Sequence, residues 1–167
     1  MCTKSWDRSR IVLSIWGVSM VLIVLAQRYG PIKLLYNRTA SVDLGFYVGQ
    51  KGTQKKLVLI KPPKLAIELG CTTKHAMLLK HVVAHEGDEV CLHDRTLFVA
   101  GVPYSKTAKH GVRGQAIKLA FTGCMSVPKG HVFVATPHPN SCDSRLFGPQ
   151  PLTQIWGGAT ALYTWRS

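Results

Sequence analysis

The feature that most constrains this chain is an uncharged apolar segment close to its N-terminus. It runs for sixteen residues from Ile11 to Ala26, between Arg8 and Arg10 on one side and Arg28 on the other. A helix that spans a membrane needs roughly 20 apolar residues, and the range begins near 17. The arginine stems at both ends extend the apolar length into the interface. We therefore expect a single transmembrane anchor at the start of the chain.

A cleavable export signal is the alternative interpretation of the same segment. Val24-Leu25-Ala26 ends in the small-residue pattern at which such signals are cut. The apolar run is slightly longer than the usual apolar region of a signal, which favours the anchor. Under either interpretation, everything that follows the segment is exported.

Basic residues before the segment favour a cytoplasmic N-terminus, because positive charge tends to stay on the cytoplasmic side. Lys4, Arg8 and Arg10 precede the segment, and the basic residues that follow it reduce the asymmetry. We expect residues 1–28 to form a cytoplasmic tail with the anchor or signal sequence, and residues 29–167 to form one exported domain. The expected location is the inner (cytoplasmic) membrane, with the domain on the periplasmic side.

The charge of the chain restricts its partners. Its formal net charge of +13 arises from 21 Lys and Arg against 8 Asp and Glu, spread without one dominant basic block. Such a surface attracts anions of any kind. The sequence has no zinc-finger spacing, no RNP-like aromatic strand and no helix-turn-helix pattern, so no nucleic acid is expected. Anionic lipid headgroups fit better, because the apolar segment already places the chain beside a bilayer.

Short apolar runs rich in β-branched residues follow the anchor, and they predict a mainly β fold of antiparallel strands. The run from Glu89 to Ala100 predicts a hairpin that turns near Asp94-Arg95. Lys64 to Leu69 offers one short helix, and Tyr29 to Arg38 resembles an interfacial connector. The predicted strands lie in Phe46 to Val48, Leu57 to Ile60, Met77 to Ala84, Glu89 to Leu92, Leu97 to Ala100, His131 to Ala135 and Ala159 to Thr164.

Four cysteines lie in the part of the chain that we expect to be exported. Cys71, Cys91, Cys124 and Cys142 would meet an oxidising compartment, where they could form up to two disulfides in any of three pairings. Four reduced and buried cysteines are the alternative, because spacing alone does not fix pairing. Cys2 would remain on the other side of the membrane as a free thiol.

A lysine in an apolar strand is the first candidate for chemistry. Lys80 shares a strand face with Leu78, Val82 and Ala84, so the alternation does not turn it toward a polar surface. Burial disfavours the ammonium and lowers its pKa, which is the condition for a lysine to accept a proton near neutral pH. An edge-strand lysine that reaches water is the alternative.

Two further segments give that lysine possible partners. Ser41 lies in a loop of small residues just before a predicted strand, within Asn37 to Tyr47. A lone loop serine is usually a turn or capping residue. Near the end of the chain, Asn140 to Pro149 contains the polar run Ser141-Cys142-Asp143-Ser144-Arg145.

At these three places the chain resembles the signal-peptidase family, and within it the TraF-type peptidases of conjugative transfer systems. The Asn-x-Thr-x-Ser-x-x-x-Gly-x-Tyr pattern of Asn37 to Tyr47 is similar to the TraF-type nucleophile loop. Leu78 to Ala84, followed by Gly87-Asp88, resembles the lysine strand and its turn. Ser141 to Arg145 resembles the Ser-x-Asp-Ser-Arg box. Asp43 stands where the family commonly has proline, and its charge would raise the pKa of Lys80 if the two approach.

The resemblance implies a membrane-anchored serine peptidase that needs no histidine. Ser41 would attack the scissile carbonyl to form an acyl-enzyme, and neutral Lys80 would be its general base. The backbone N–H of Ser41 and a group in the Thr39-Ala40 loop would bind the oxyanion. Ser141 would orient the amine, with Asp143 and Arg145 paired beneath the site. That pair is equally well explained as a stabilising ion pair of the fold.

The resemblance also implies a substrate, an exported precursor such as a conjugative pilin subunit, and partners in a secretion or conjugation apparatus. Water as the second nucleophile gives cleavage, whereas the substrate's own amino terminus gives a cyclic pilin. Rival hypotheses are a general signal peptidase, a membrane-tethered binding module without catalysis, and a DNA-contacting component. No cofactor is expected. His81, His85, Cys91, His93, Glu86 and Asp88 include zinc-binding donor types, but their spacing matches no zinc motif, so no metal site is predicted.

Overall fold

The computed structural model describes residues 4–111 and 114–165, with side chains from Arg8 onward. Cys2 lies outside the described residues, so its state stays a prediction. The helices are α1 (Lys4–Tyr29), α2 (Lys64–Glu68) and α3 (Ser144–Phe147), with a 3-10 turn at Leu152–Gln154. The strands are β1 (Ile32–Asn37), β2 (Leu44–Lys51), β3 (Leu57–Ile60), β4 (Leu78–Ala84), β5 (Glu89–His93), β6 (Thr96–Val99), β7 (Val102–Lys106), β8 (Gly123–Ser126), β9 (His131–Ala135), β10 (Gln150–Pro151) and β11 (Ile155–Trp165).

Helix α1 contains the apolar segment and is long enough to cross a membrane. The stretch from Arg8 to Tyr29 has 22 residues and a mean hydropathy of 2.1, and none of it is buried against the rest of the protein. The helix ends at Gly30, whose N–H donates to the carbonyl of Ala26 at 2.8 Å. A Cβ at this position would collide with that same carbonyl oxygen, so glycine is required where the chain leaves the helix.

The strands form two antiparallel sheets. The larger sheet has the order β1-β2-β11-β3-β4-β9-β10, and the smaller has the order β7-β6-β5-β8. Leu59, Ile60 and Val134 are fully buried at the centre of the larger sheet. The prediction of a mainly antiparallel β domain behind one N-terminal helix is confirmed. The turn of the β5–β6 hairpin is also where we expected it, since Asp94 and Arg95 both have positive φ angles.

The segment from Tyr29 to Arg38 is not the connector that we expected. Ile32–Asn37 is the edge strand β1, and it pairs along its whole length with β2, from Ile32 opposite Gln50 to Asn37 opposite Gly45. Leu34 and Tyr36 point outward and are exposed, which made the segment resemble an interfacial linker. Strands β7 and β8 and helix α3 were also missed, because they are short and carry little apolar alternation.

Both disulfides form, and the structure selects one of the three pairings. Cys71 joins Cys142, and Cys91 joins Cys124. Cys91 and Cys124 face each other in the register of β5 and β8. The Cys71–Cys142 bond ties the turn after α2 to the segment before α3, across 71 residues of sequence. Closing a loop of that length removes much of the conformational freedom of the unfolded chain, so this bond holds two distant segments together.

Candidate active site

The loop that carries Ser41 is organised by one asparagine side chain. The loop spans residues 38–43, between β1 and β2. The amide nitrogen of Asn37 donates to the carbonyls of Thr39, Val42 and Asp43, at 3.0, 2.9 and 3.0 Å. Its amide oxygen accepts from the backbone N–H and the hydroxyl of Thr39, at 3.2 and 2.9 Å. A single side chain therefore fixes the backbone on both sides of the serine.

Two later residues of the same motif hold the far end of this loop. Buried Tyr47 donates its hydroxyl to the carbonyl of Asp43 at 2.7 Å. Gly45 has a φ of 147°, and a Cβ there would collide with the carbonyl oxygen of Tyr163 on β11. The loop is thereby anchored to the larger sheet, which explains the spacing of the Asn-x-Thr-x-Ser-x-x-x-Gly-x-Tyr pattern in physical terms.

Lys80 lies on β4, an interior strand between β3 and β9, and only 4% of its surface is exposed. Its Nζ donates to Ser41 Oγ at 3.1 Å and to Ser141 Oγ at 2.9 Å. The roles predicted for Ser41 and Lys80 require the first of these contacts, and the edge-strand alternative is wrong because β4 is an interior strand. Burial lowers the pKa of Lys80 to about 8, with Asp143 raising it and Arg145 lowering it to smaller extents. The carboxylate that acts on this pKa is therefore Asp143 rather than Asp43.

The segment leading into α3 brings the other three predicted residues to the site. Ser141, Asp143 and Arg145 are all buried. Arg145 and Asp143 form a bidentate ion pair, with Nε to Oδ1 at 2.8 Å and Nη2 to Oδ2 at 2.7 Å. In the described part of the chain, neither makes a hydrogen bond to Ser41 or Lys80.

The ion pair acts on the site through the backbone around Ser141. Arg145 Nη2 donates to the carbonyl of His138 at 3.0 Å, and the N–H of Ser141 donates to the same carbonyl at 3.1 Å. Asp143 Oδ2 accepts from the N–H of Thr136 at 3.2 Å. The ion pair thus fixes the turn that aims the Ser141 hydroxyl at Lys80, which is a positioning role.

A second hydroxyl lies beside that of Ser41, within the Thr39-Ala40 loop in which a second oxyanion donor was predicted but not assigned to one group. Thr39 Oγ1 lies 3.3 Å from Ser41 Oγ. No acceptor among the described residues takes the backbone N–H of Ser41, so this donor is free for a ligand. The threonine in the motif, two residues before the serine, was the available signal. The Thr39 hydroxyl and the backbone N–H of Ser41 therefore both lie next to the Ser41 hydroxyl.

Two cavities meet at Ser41. The first, called here the apolar cleft, is lined by side chains that include Leu35, Leu59, Met77, Leu78 and Leu79, and it reaches Lys80. The second, called here the polar pocket, is lined by side chains that include Val42, Asp43, Tyr47, His81 and His138. The two cavities differ in the charged residues that line them, which are Arg38 and Lys80 in the apolar cleft and Asp43 in the polar pocket.

A group of metal-ligand types does occur, but away from Ser41. Cys91, His93 and Cys124 place their donor atoms within 4.8 Å of one another. The two sulfurs are bonded to each other, so they are not thiolate ligands. His81 instead lines the polar pocket, and burial lowers its pKa, as does the charge of Lys80, while Asp43 raises it.

Fold and site define an anchored β domain with a serine hydroxyl next to a buried amine. A family model described as "Signal peptidase, peptidase S26" matches residues 16–165. The chain belongs to this family, and it is a serine peptidase of the signal-peptidase kind associated with a membrane through its N-terminal helix. A crystal structure of a signal peptidase I from Enterococcus faecalis V583 is 24% identical, with a TM-score of 0.42, covering 66% of this chain and 98% of that one.

Proposed function

We propose that this protein is an endopeptidase that cuts an exported precursor through an acyl-enzyme on Ser41, with Lys80 as general base. The observation that carries the proposal is the buried Lys80 amine, 3.1 Å from the Ser41 hydroxyl and 2.9 Å from Ser141. A lysine with a pKa of about 8 is neutral in an appreciable fraction of molecules near neutral pH. Such an amine can accept the serine proton without a histidine.

Each step of the reaction has a group in place. Ser41 Oγ attacks the scissile carbonyl while its proton passes to Lys80 Nζ. The amide C–N bond then breaks, and the Lys80 ammonium returns the proton to the leaving amine. An ester on Ser41 remains. Water attacks this ester with Lys80 again as base, which releases the acid and restores the serine. Ser141 accepts a hydrogen bond from the Lys80 amine and holds it in position for both steps.

The oxyanion of the tetrahedral intermediate is stabilised by hydrogen-bond donors close to the position where its charge develops. The backbone N–H of Ser41 is one donor, and rotation of the Thr39 hydroxyl from Asn37 toward the intermediate supplies the second. Replacing Thr39 with valine is expected to lower kcat by about 10²- to 10³-fold with little change in KM. Peptide cleavage kinetics measure both constants.

Thr39→Ser is the conservative variant in this series, and it should retain activity within about tenfold of wild type because it keeps the hydroxyl. Thr122→Val removes a hydroxyl from an exposed position outside the site and serves as the matched control. An unchanged kcat in Thr39→Val would remove Thr39 from the oxyanion site.

The substrate that the motifs favour is a conjugative pilin subunit, and the enzyme would then work beside a secretion or conjugation apparatus. This assignment rests on the similarity of Asn37 to Tyr47 and Ser141 to Arg145 to the TraF-type peptidases. If the acyl-enzyme excludes water, the amino terminus of the substrate can attack the ester instead, and the product is cyclic. The general signal peptidase is the alternative within the same chemistry.

We place residues 29–167 on the periplasmic side of the inner membrane, with residues 1–28 as tail and anchor. The basic residues in the first turns of α1, Lys4, Arg8 and Arg10, support this orientation. An exposed aromatic cluster on β1, β2 and β11 supports a position at the membrane surface, because aromatic side chains concentrate at that interface. In this cluster Tyr36, Phe46 and Trp165 pack against each other, with ring centroids 5.1 to 6.4 Å apart.

The experiment that tests the function is co-expression of the candidate pilin precursor with wild type, Ser41→Ala or Lys80→Ala, followed by intact mass measurement. Only the wild type should shorten the precursor, and a further loss of one water from the product would mark cyclisation. Equal processing with all three proteins would exclude the peptidase assignment for this site. A tethered binding module would then be the better description of the protein.

A further inference from the structure

The polar pocket contains a carboxylate that the reaction does not use. Asp43 is exposed, and among the described residues its side chain makes no hydrogen bond and no ion pair. Asp43 is one of only 8 acidic residues in the chain, against 21 basic ones, and it lies two residues after Ser41. No Lys or Arg appears among the residues that line this pocket.

The charge of Asp43 extends across the pocket to its neighbours. It raises the pKa of His81 against the effect of burial, and it raises the pKa of Tyr47 as well. The pocket encloses about 540 Å³, which is enough for one long side chain. It therefore forms a negative site beside the nucleophile on a protein whose net charge is strongly positive.

Ser41 lines both cavities, and a substrate chain extends in both directions from the carbonyl that Ser41 attacks, so each cavity can receive one side of the scissile bond. Export signals end in small residues before the cut. Small apolar residues match the apolar cleft, with Leu35, Leu59 and Leu78 on its walls. The residues that follow the scissile bond are then left to the polar pocket.

We propose that the polar pocket binds the residue immediately after the scissile bond and that Asp43 selects a cationic side chain there. The ligand chemistry is an ammonium or guanidinium group, which a carboxylate binds with a charge-assisted hydrogen bond. This inference rests on the proposed function, because it takes Ser41 as the point of cleavage. Asp43 itself is a specificity residue and performs no proton transfer.

The test uses the full chain in detergent and three peptides that carry a small-residue Ala-x-Ala pattern before the cut. The peptides differ only in having Lys, Ala or Glu after it, and an acetylated amino terminus removes the α-amine as a second source of ammonium. The expected kcat/KM for the Lys peptide is about tenfold that for the Glu peptide, since an exposed ion pair is weak. Asp43→Asn should reduce this ratio below about threefold, and Asp43→Lys should invert it.

Asp94→Asn is the matched control, because Asp94 is an exposed aspartate on the distant β5–β6 turn. This variant should keep the wild-type ratio. Equal kcat/KM for the Lys and Glu peptides with wild type, or a ratio that Asp43→Asn leaves unchanged, would overturn the proposal while the peptidase function stands.

Binding to the Ser41→Ala protein separates the pocket from the chemistry. Fluorescence anisotropy with the same peptides should show tighter binding of the Lys peptide, again by about tenfold, and loss of that preference in Ser41→Ala/Asp43→Asn. If wild type cuts no peptide while this preference is present, the proposed function fails, and only the preference of the pocket for a cationic side chain holds. If the preference is absent, the pocket assignment fails.

Discussion

Replacing Lys80 with methionine is expected to lower kcat/KM by at least about 10⁴-fold while leaving the protein folded. When two catalytic groups act together, removing either one abolishes nearly all of their contribution to the rate. Methionine has a similar length and no proton acceptor, so the Ser41 hydroxyl keeps its place and loses its base. Lys80→Arg should be equally inactive, since a guanidinium is not deprotonated in proteins. Peptide cleavage assayed by mass spectrometry measures the loss.

The dependence of wild-type kcat/KM on pH tests the role of Lys80 in a second way, through its pKa. Only neutral Lys80 is a base, so kcat/KM should rise tenfold per pH unit below about 8 and level off above it. The folded-state pKa lies below the ordinary 10.5, so the unfolded chain binds more protons between those values. Stability should therefore rise with pH from about 8 to about 10.5. A pH profile governed by a group with a pKa of about 6.5 would indicate a histidine as the base instead.

Thermal unfolding completes the comparison between wild type and Lys80→Met. The fall of the Lys80 pKa from 10.5 to about 8 means that the buried ammonium opposes folding at pH 7. At 1.36 kcal/mol per pKa unit, this cost is about 3 kcal/mol. Methionine removes that penalty and leaves the Ser141 hydroxyl without its donor, which costs about 1 kcal/mol. The inactive variant should thus be no less stable than wild type. A large fall in Tm would mean that its inactivity reflects misfolding rather than the loss of a base.

Arg145→Met is expected to destabilise the protein by about 3 to 5 kcal/mol, because it leaves the Asp143 carboxylate fully buried without its partner. Arg145 also donates to Ser105 Oγ at 3.0 Å and to two backbone carbonyls, so several acceptors lose their donor together. Urea unfolding at pH 7 measures the difference. Cleavage activity should fall as well, since Ser141 loses the turn that aims it at Lys80.

A double variant separates the stability cost of leaving a charge buried without its partner from the cost of losing side-chain packing. Asp143→Leu combined with Arg145→Met removes both charges, and it should be more stable than Arg145→Met alone. Lys129→Met removes a positive charge from an exposed side chain and should change stability by no more than about 0.5 kcal/mol. If the double variant were the less stable of the two, the ion pair would contribute through packing rather than through mutual neutralisation.

Local patterns were enough to predict most of the larger sheet and the burial of Lys80. Strands β3, β4 and β9 appear in the sequence as short β-branched runs, and each is covered on both faces. Strand β11 was predicted only from Ala159 to Thr164, whereas it begins at Ile155 and includes Gly157 and Gly158. In the structure a Cβ at Gly157 would collide with the carbonyl of Gln50, so this glycine permits close pairing with β2 instead of ending the strand.

Contacts between distant segments could not be predicted from the sequence. The sulfurs of Cys71 and Cys142 meet only because α2 and α3 pack at one end of the larger sheet, and spacing alone left three pairings open. The role of Asn37 also depends on three backbone carbonyls whose positions exist only in the folded loop. The motif therefore predicted a role for Ser41, while the structure shows how its other residues hold the loop that carries this serine.

The short join between α1 and β1 has a consequence for how the enzyme meets its substrate. Only Gly30 and Pro31 separate the two elements, and Gln27 Oε1 accepts from the N–H of Leu34 across the join at 3.2 Å. With at most about 3.6 Å per residue, Ser41 lies within roughly 40 Å of the end of α1. The short join therefore limits how far Ser41 can lie from the end of the anchor helix. If the proposed function holds, a precursor anchored by its own apolar segment is expected to be cut within that reach, so the distance of a site from the membrane would take part in its selection.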